Sequence, residues 1–115
     1  MKIFFMNNII VVTTPSIPGY KIVKILGIVS GLTARTRGVG GKFVASFQAL
    51  AGGEVSVFTE EMVKARNEAL KRAIEQAKML GANAIVGLDF ETTEVFESTV
   101  LISATGTAVI VEPEK

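Results

Sequence analysis

Alanine recurs at every fourth position along one stretch of the chain: Ala65, Ala69, Ala73 and Ala77, within TEEMVKARNEALKRAIEQAKML. A four-residue spacing keeps side chains on one face of an α-helix. The segment from about Thr59 to Leu80 is therefore predicted to be a helix with a smooth stripe of small side chains. Leu70, Ile74 and Leu80 widen the stripe, and Lys64, Glu68, Lys71, Glu75 and Lys78 lie on the other side. Glu68 and Arg72 are spaced for an i,i+4 ion pair. Thr59 is placed as the N-cap, with Glu60 and Glu61 favourable in the first turn. Gly81 suits the left-handed position that follows a helix. An alanine stripe lets a helix backbone come close to its partner, here a sheet.

The strands around this helix are read from β-branched runs and turn residues. Ile9 to Thr14 (IIVVTT) is a short strand stopped by Pro15, and PSIPG is a turn or rigid link. Tyr20 to Gly31 is a strand apolar on both sides, with Ile22, Leu26 and Ile28 on one and Val23, Ile25 and Val29 on the other, a pattern of burial on both faces. Thr33 to Lys42 is a glycine-rich basic loop. Phe43 to Leu50 has helical spacing and is ended by Gly52 and Gly53. Asn83 to Val95 and Thr99 to Val111 form a hairpin around Phe96, Glu97 and Ser98. In LGANAIVG, Gly81 reverses the chain, Ala82 and Ala84 let the helix end sit on the strand, and Gly87 leaves room for a close neighbour, as Gly106 does on the last strand.

The order is strand, strand, short helix, long helix, strand, strand (β-β-α-α-β-β). This predicts an α+β fold in which an antiparallel or mixed sheet is covered on one face by a long helix. At 115 residues it forms a single domain, residues 1–115, with residues 1–8 as an N-terminal extension and 112–115 as a tail. Met6 is as good a start as Met1, since Ile9 opens the first convincing strand. The chain is 49% hydrophobic and 20% charged, where about 25% charged is usual. With no helix left for the second sheet face, that apolar surplus predicts association with further copies of the chain. No run of about 18 apolar residues offers a membrane span. A net charge of +1 offers no strong attraction to nucleic acid or membrane. The protein is read as cytoplasmic.

Two clusters are candidate sites. Asp89, Glu91 and Glu94 lie on the strand after the helix. Asp89 and Glu91 share a side, as i and i+2, and suit one hard cation such as Ca²⁺ or Mg²⁺, whereas Glu94 falls on the opposite side unless a bulge intervenes. The alternative reading of the same acids is a solvated strand edge that discourages unwanted edge pairing. Arg35, Arg37 and Lys42 flank Gly38, Gly40 and Gly41, and such a loop before a helix can hold an anion or nucleotide. It also reads as an ordinary solvated loop, and its spacing is not that of a Walker A motif. With no histidine and no cysteine in the chain, the common general base and the thiolate and imidazole metal ligands are missing together. Enzyme activity is not expected.

TTPSIPGYKIVKILGIVSG (Thr13–Gly31), the stretch from Gly52 to Phe90 with its AR–EAL and LGANAIVG, and ATGTAVIVEP (Ala104–Pro113) resemble the YbjQ-like proteins. The resemblance covers nearly the whole chain after the first few residues. It implies a family labelled heavy-metal-binding, subunits shaped like those of dodecin, and a ring-forming homopentamer. A divalent metal ion or a small molecule held between subunits is then the expected ligand. The alternatives are a scaffold without ligand and an anion binder using the Arg35–Lys42 loop.

Overall fold

The computed structural model describes residues 5–6, 8–36, 56–96 and 99–115. The elements are β1 (Phe5–Met6), β2 (Ile9–Val11), β3 (Tyr20–Thr36), α1 (Ser56–Met79), β4 (Ala84–Phe96) and β5 (Thr99–Pro113). The strands build one mixed sheet in the order β1-β2-β4-β5-β3. β5 pairs antiparallel with both β3 and β4, β2 runs parallel to β4, and β1 folds back antiparallel onto β2. This is the α+β arrangement with a long helix that the sequence predicts.

Several boundaries differ from expectation. Phe5–Met6 belongs to the sheet, through the pairs Phe5↔Ile10 and Met6↔Ile9, so residues 1–8 are not wholly an extension. Asn8 turns the chain between the two strands with a φ of 67°, a conformation asparagine tolerates better than most residues. β2 ends at Val11, although Val12 N–H still donates to the Ile85 carbonyl and Gly87 N–H to that of Thr14. β3 continues to Thr36, so residues 33–36 are strand and not loop, because β5 offers Ser103 to Thr99 as partners for Leu32 to Thr36. Phe96 pairs with Thr99, so the hairpin connection is two residues long. β5 runs on to Pro113, and Glu114 N–H donates to the Gly19 carbonyl, so most of the expected tail is tied down. The short helix expected at Phe43 to Leu50, with Gly52 and Gly53 after it, lies outside the described residues.

The helix starts at Ser56, three residues before the expected cap, so Thr59 sits inside it and Glu60 and Glu61 fall after its first turn. Its end follows expectation closely. Gly81, with φ +84°, donates its N–H to the Lys78 carbonyl, and Ala82 N–H donates to Ala77. These two bonds make a Schellman motif, with Ala82 packed against the core as the apolar residue after the cap. Asn83 then joins the helix to the sheet. Its side chain donates to the Val111 carbonyl and accepts from Val111 N–H, imitating a strand neighbour.

Ala65, Ala69, Ala73 and Ala77 are all completely buried, together with Ile74. Leu70 is buried too, whereas Leu80 is 47% exposed beyond the last turn. What the stripe rests on is Gly31: a Cβ placed there would lie 1.9 Å from the Ala69 carbonyl oxygen and 2.7 Å from the Ala73 nitrogen. The helix backbone therefore touches the backbone of β3. Beside this crossing, the buried Thr33 hydroxyl donates to the Ala65 carbonyl at 2.8 Å. The core between helix and sheet is completed by Val29, Ile85, Leu88, Val100, Ile102 and Ala104.

Among the described residues, the second sheet face is sheltered at one end only. There Ile17, in the link between β2 and β3, covers Ile10, Ala84, Val86, Val109 and Val111. This shelter was not expected, since the sequence predicts a second face covered by nothing in the chain. Along the rest of that face β3 is bare among the described residues, which do not bury both of its sides. Ile25 is 69% exposed, Ile28 78% and Leu32 50%. Register shifts after Ile22 and after Ile25, the second at Leu26 just before Gly27 with φ +144°, change which way the side chains point. They put Leu26 against the helix-side core and leave Ile25 and Ile28 outside.

Candidate functional site on the open sheet face

On β4 and β5 the strand pleat sorts the polar residues. Asp89 stands opposite Thr105 and Glu91 opposite Ser103, so these four share the open face. Glu94 stands opposite Val100, a core residue beneath the helix, and so belongs to the other face. No bulge falls between Asp89 and Glu94, and the three acids do not converge. The bulge lies just before them: Gly87, with φ +63°, is the extra residue between the pairs Val86↔Thr107 and Asp89↔Thr105. Nothing lies within 4 Å of a Cβ placed at Gly87, so this glycine is there for its backbone conformation and not to make room. Gly106 is the one that makes room, since a Cβ there would meet Ile85 Cγ2 at 2.6 Å.

The bulge and the small Gly106 leave a shallow depression of about 360 Å³, lined by Ile28, Gly87, Asp89, Glu91, Thr105, Gly106 and Thr107. Beside it, the Ser30 and Thr105 hydroxyls are 3.0 Å apart and share a hydrogen bond. Two carboxylates and two threonines thus border an apolar ridge formed by Ile25, Ile28 and Leu32. Sequence reasoning named the acids but missed Thr105, Thr107 and Ile28. A signal for the threonines exists in the period of two along β5, where Leu101, Ser103, Thr105 and Thr107 alternate with buried Val100, Ile102, Ala104 and Gly106.

The expected basic loop is not assembled by the described residues. Arg35 lies on β3 and is engaged by the helix: its Nη2 is 2.9 Å from Glu68 and its Nε 3.5 Å from Glu61. Glu68 also binds Arg72, the i,i+4 pair expected from the sequence, and Lys64 lies 3.7 Å from Glu61. The hydrogen bond from Arg35 and the charge of Arg72 hold the Glu68 carboxyl below its ordinary value of 4.5. Arg37 and Lys42 lie outside the described residues.

Fold and site together define a class: a small α+β subunit with one helix-clad sheet face, and one open face carrying carboxylates, hydroxyls and bare isoleucines. Comparison with known proteins narrows it. The family described as "Putative heavy-metal-binding", the YbjQ-like proteins, matches residues 9–112, and the chain belongs to this family. A UPF0145 protein of Pyrococcus furiosus is 48% identical over 110 residues, covering 96% of each chain. Another, of Sulfurisphaera tokodaii, is 46% identical over 105 residues, covering 91% of this chain and 92% of its own. A solved structure of a Pediococcus pentosaceus protein of unknown function, from the DUF74 family, shares the fold with a TM-score of 0.60 at 16% identity, over 90% of this chain and 98% of that one.

The donors in this chain do not fit the soft metals that "heavy" implies. Soft ions select thiolate and imidazole, and the sequence contains neither cysteine nor histidine. Among the described residues no three acidic side chains gather into a metal-holding group. Met62 is packed against the core and Met79 is 87% exposed at the helix end, so these thioethers are not brought together. Asp89 and Glu91 offer oxygen alone, the donor of hard cations. Among the described residues, no helix is long and apolar enough to cross a membrane.

Proposed function

We propose that the chain is the non-catalytic subunit of a cytoplasmic homo-oligomer, a ring of five, whose copies meet over the open sheet face and hold a small hydrophilic ligand there. The observation that carries this reading is the row Ile22, Ile25, Ile28 and Leu32 on one face of β3, exposed by 38, 69, 78 and 50%. Burying such a side chain fully stabilises by about 1.5–3 kcal/mol, and no element among the described residues covers this row. The lengths explain why the helix alone does not suffice. The 17 residues of β3 extend about 56 Å, and the 24 residues of α1 reach about 36 Å on one face only. A closed ring of five uses head-to-tail contacts, so the isoleucine row would lie on a different surface of the neighbouring copy.

The ligand in this reading is a hard divalent cation or a small hydroxylated or cationic molecule, bound by Asp89, Glu91, Thr105 and Thr107 in the depression that a second copy would close. The openness of that depression favours a second reading, the same assembly acting as a scaffold without ligand. Light scattering at micromolar concentration tests the assembly. A multiple of 12.2 kDa is expected for the wild type and a smaller species for Ile28→Asp, and a clean wild-type monomer would end the proposal. Calorimetric titration with Mg²⁺, Ca²⁺ and Cd²⁺ tests the ligand. Saturable binding of a hard cation, lost in Asp89→Asn/Glu91→Gln, supports the first reading. Binding that survives the double change rules out this site, and no saturation leaves the scaffold.

A further inference from the structure

Among the described residues the sheet order ends on β3. An edge strand presents a row of backbone groups that any other strand can pair with, and such edges seed aggregation. In β3 the residues opposite Thr105, Ser103 and Leu101 are Ser30, Leu32 and Ala34, and their backbone groups turn outward. The helix meets the groups of Ser30 and the carbonyl of Leu32, and Arg35 of β3 itself meets the carbonyl of Ala34. Gln76 takes both groups of Ser30: its Oε1 accepts the Ser30 N–H at 2.9 Å, and its Nε2 donates to the Ser30 carbonyl at 2.7 Å. A carboxamide offers the same donor and acceptor as a peptide unit, so Gln76 sits where a neighbouring strand would. Arg72 Nη1 donates to the Leu32 carbonyl, and Arg35 Nη1 to the Ala34 carbonyl at 3.2 Å. Glu68 holds both arginines in place.

The match is one of pitch. Glu68, Arg72 and Gln76 are four residues apart, which spaces them about 6 Å along the helix. Outward groups two residues apart on a strand are spaced about 6.6 Å. A row of polar side chains along one side of α1 therefore runs in step with the free edge of β3. Salt-bridge formation alone does not explain Gln76, which carries no charge and bonds only to backbone in this row.

We infer that the Glu68–Arg72–Gln76 row is a clasp that closes the free edge of β3 against strand-by-strand pairing with other copies. The inference does not depend on the proposed ring, because edge pairing would add strands beyond any closed assembly.

The test compares wild type, Gln76→Ala, Arg72→Ala/Gln76→Ala and, as a control on the exposed side of the helix, Glu75→Ala. The double variant is expected to keep its helical circular dichroism yet gain open-ended, concentration-dependent association, with thioflavin binding and an intermolecular β-sheet infrared band that wild type and Glu75→Ala lack. A folded double variant of wild-type size without that band overturns the clasp. Hydrogen exchange keeps the inference testable should the double variant fail to fold. In Gln76→Ala the Ser30 N–H is expected to exchange on the order of tenfold faster, about the effect of one hydrogen bond. Val29 and Gly31, which pair inward with β5, should be unchanged. Equal exchange at Ser30 in wild type and Gln76→Ala overturns it as well.

Discussion

Replacing Gly31 by alanine tests how the helix is seated. The added Cβ would lie 1.9 Å from the Ala69 oxygen, and Cβ contacts under 3.0 Å are essentially never seen. The obstacle is helix backbone, which cannot rotate aside as a side chain can, so α1 must withdraw by at least about 1 Å. A gap of that size forfeits a quarter to a half of the dispersion energy of the contacts it opens. The contacts at stake are those of Ala65, Ala69, Ala73 and Ile74, all fully buried. Overpacking in cores costs about 1–3 kcal/mol and occasionally more, and backbone against backbone belongs at the upper end, about 3 kcal/mol. A domain of this size has roughly 5–15 kcal/mol in total, so the melting temperature should fall by about 10 °C or more. Thermal unfolding followed by circular dichroism, at one fixed protein concentration, is the assay. Gly87→Ala is the internal standard, since its φ of +63° imposes a backbone cost of about 1–2 kcal/mol while its surroundings are open. If Gly31→Ala melts with the wild type, or is perturbed less than Gly87→Ala, the close seating of helix on strand is wrong.

Two further outcomes follow from polar contacts elsewhere in the fold. Glu68 has its pKa lowered by Arg35 and Arg72, so its contribution to stability is present above its ordinary value of 4.5 and is lost as pH falls through the lowered one. Denaturant unfolding across the acid range should therefore show a shallower loss of stability in Glu68→Gln than in wild type, and parallel curves would count against the network. Asn83→Ala removes the two hydrogen bonds that tie the helix exit to Val111. At about 1 kcal/mol each, chemical denaturation should register a loss of about 2 kcal/mol, and a loss below a few tenths would contradict the pairing.

Much of the local structure was legible because it is set by residues near one another in the chain. The four alanines announced the buried face of α1, Gly81 its end, and the alternation of β4 the separation of Glu94 from Asp89 and Glu91. Thr59 is a good cap by composition, yet the chain enters the helix three residues earlier, at Ser56. Residue type alone reads Gly87 as a glycine that leaves room, whereas its backbone angle is the cause. PSIPG reads locally as a turn or rigid link, and only the folded chain shows its Ile17 packed with Val109 and Ala84.

The amino-acid sequence by itself determined the segments, their amphipathic faces and the supply of donors: oxygen, amide and guanidinium, with neither thiolate nor imidazole to hold a soft metal. Tertiary structure alone decided that β3 takes the outer edge of the sheet, that Gly31 receives the helix, and that Arg35 turns to Glu68. It also decided that Thr105 and Thr107 join Asp89 and Glu91 around one depression. The physical reason is range. Periodicity and capping act over a few residues, whereas strand order and helix seating bring together groups such as Ser30 and Gln76, which no local pattern in the chain connects.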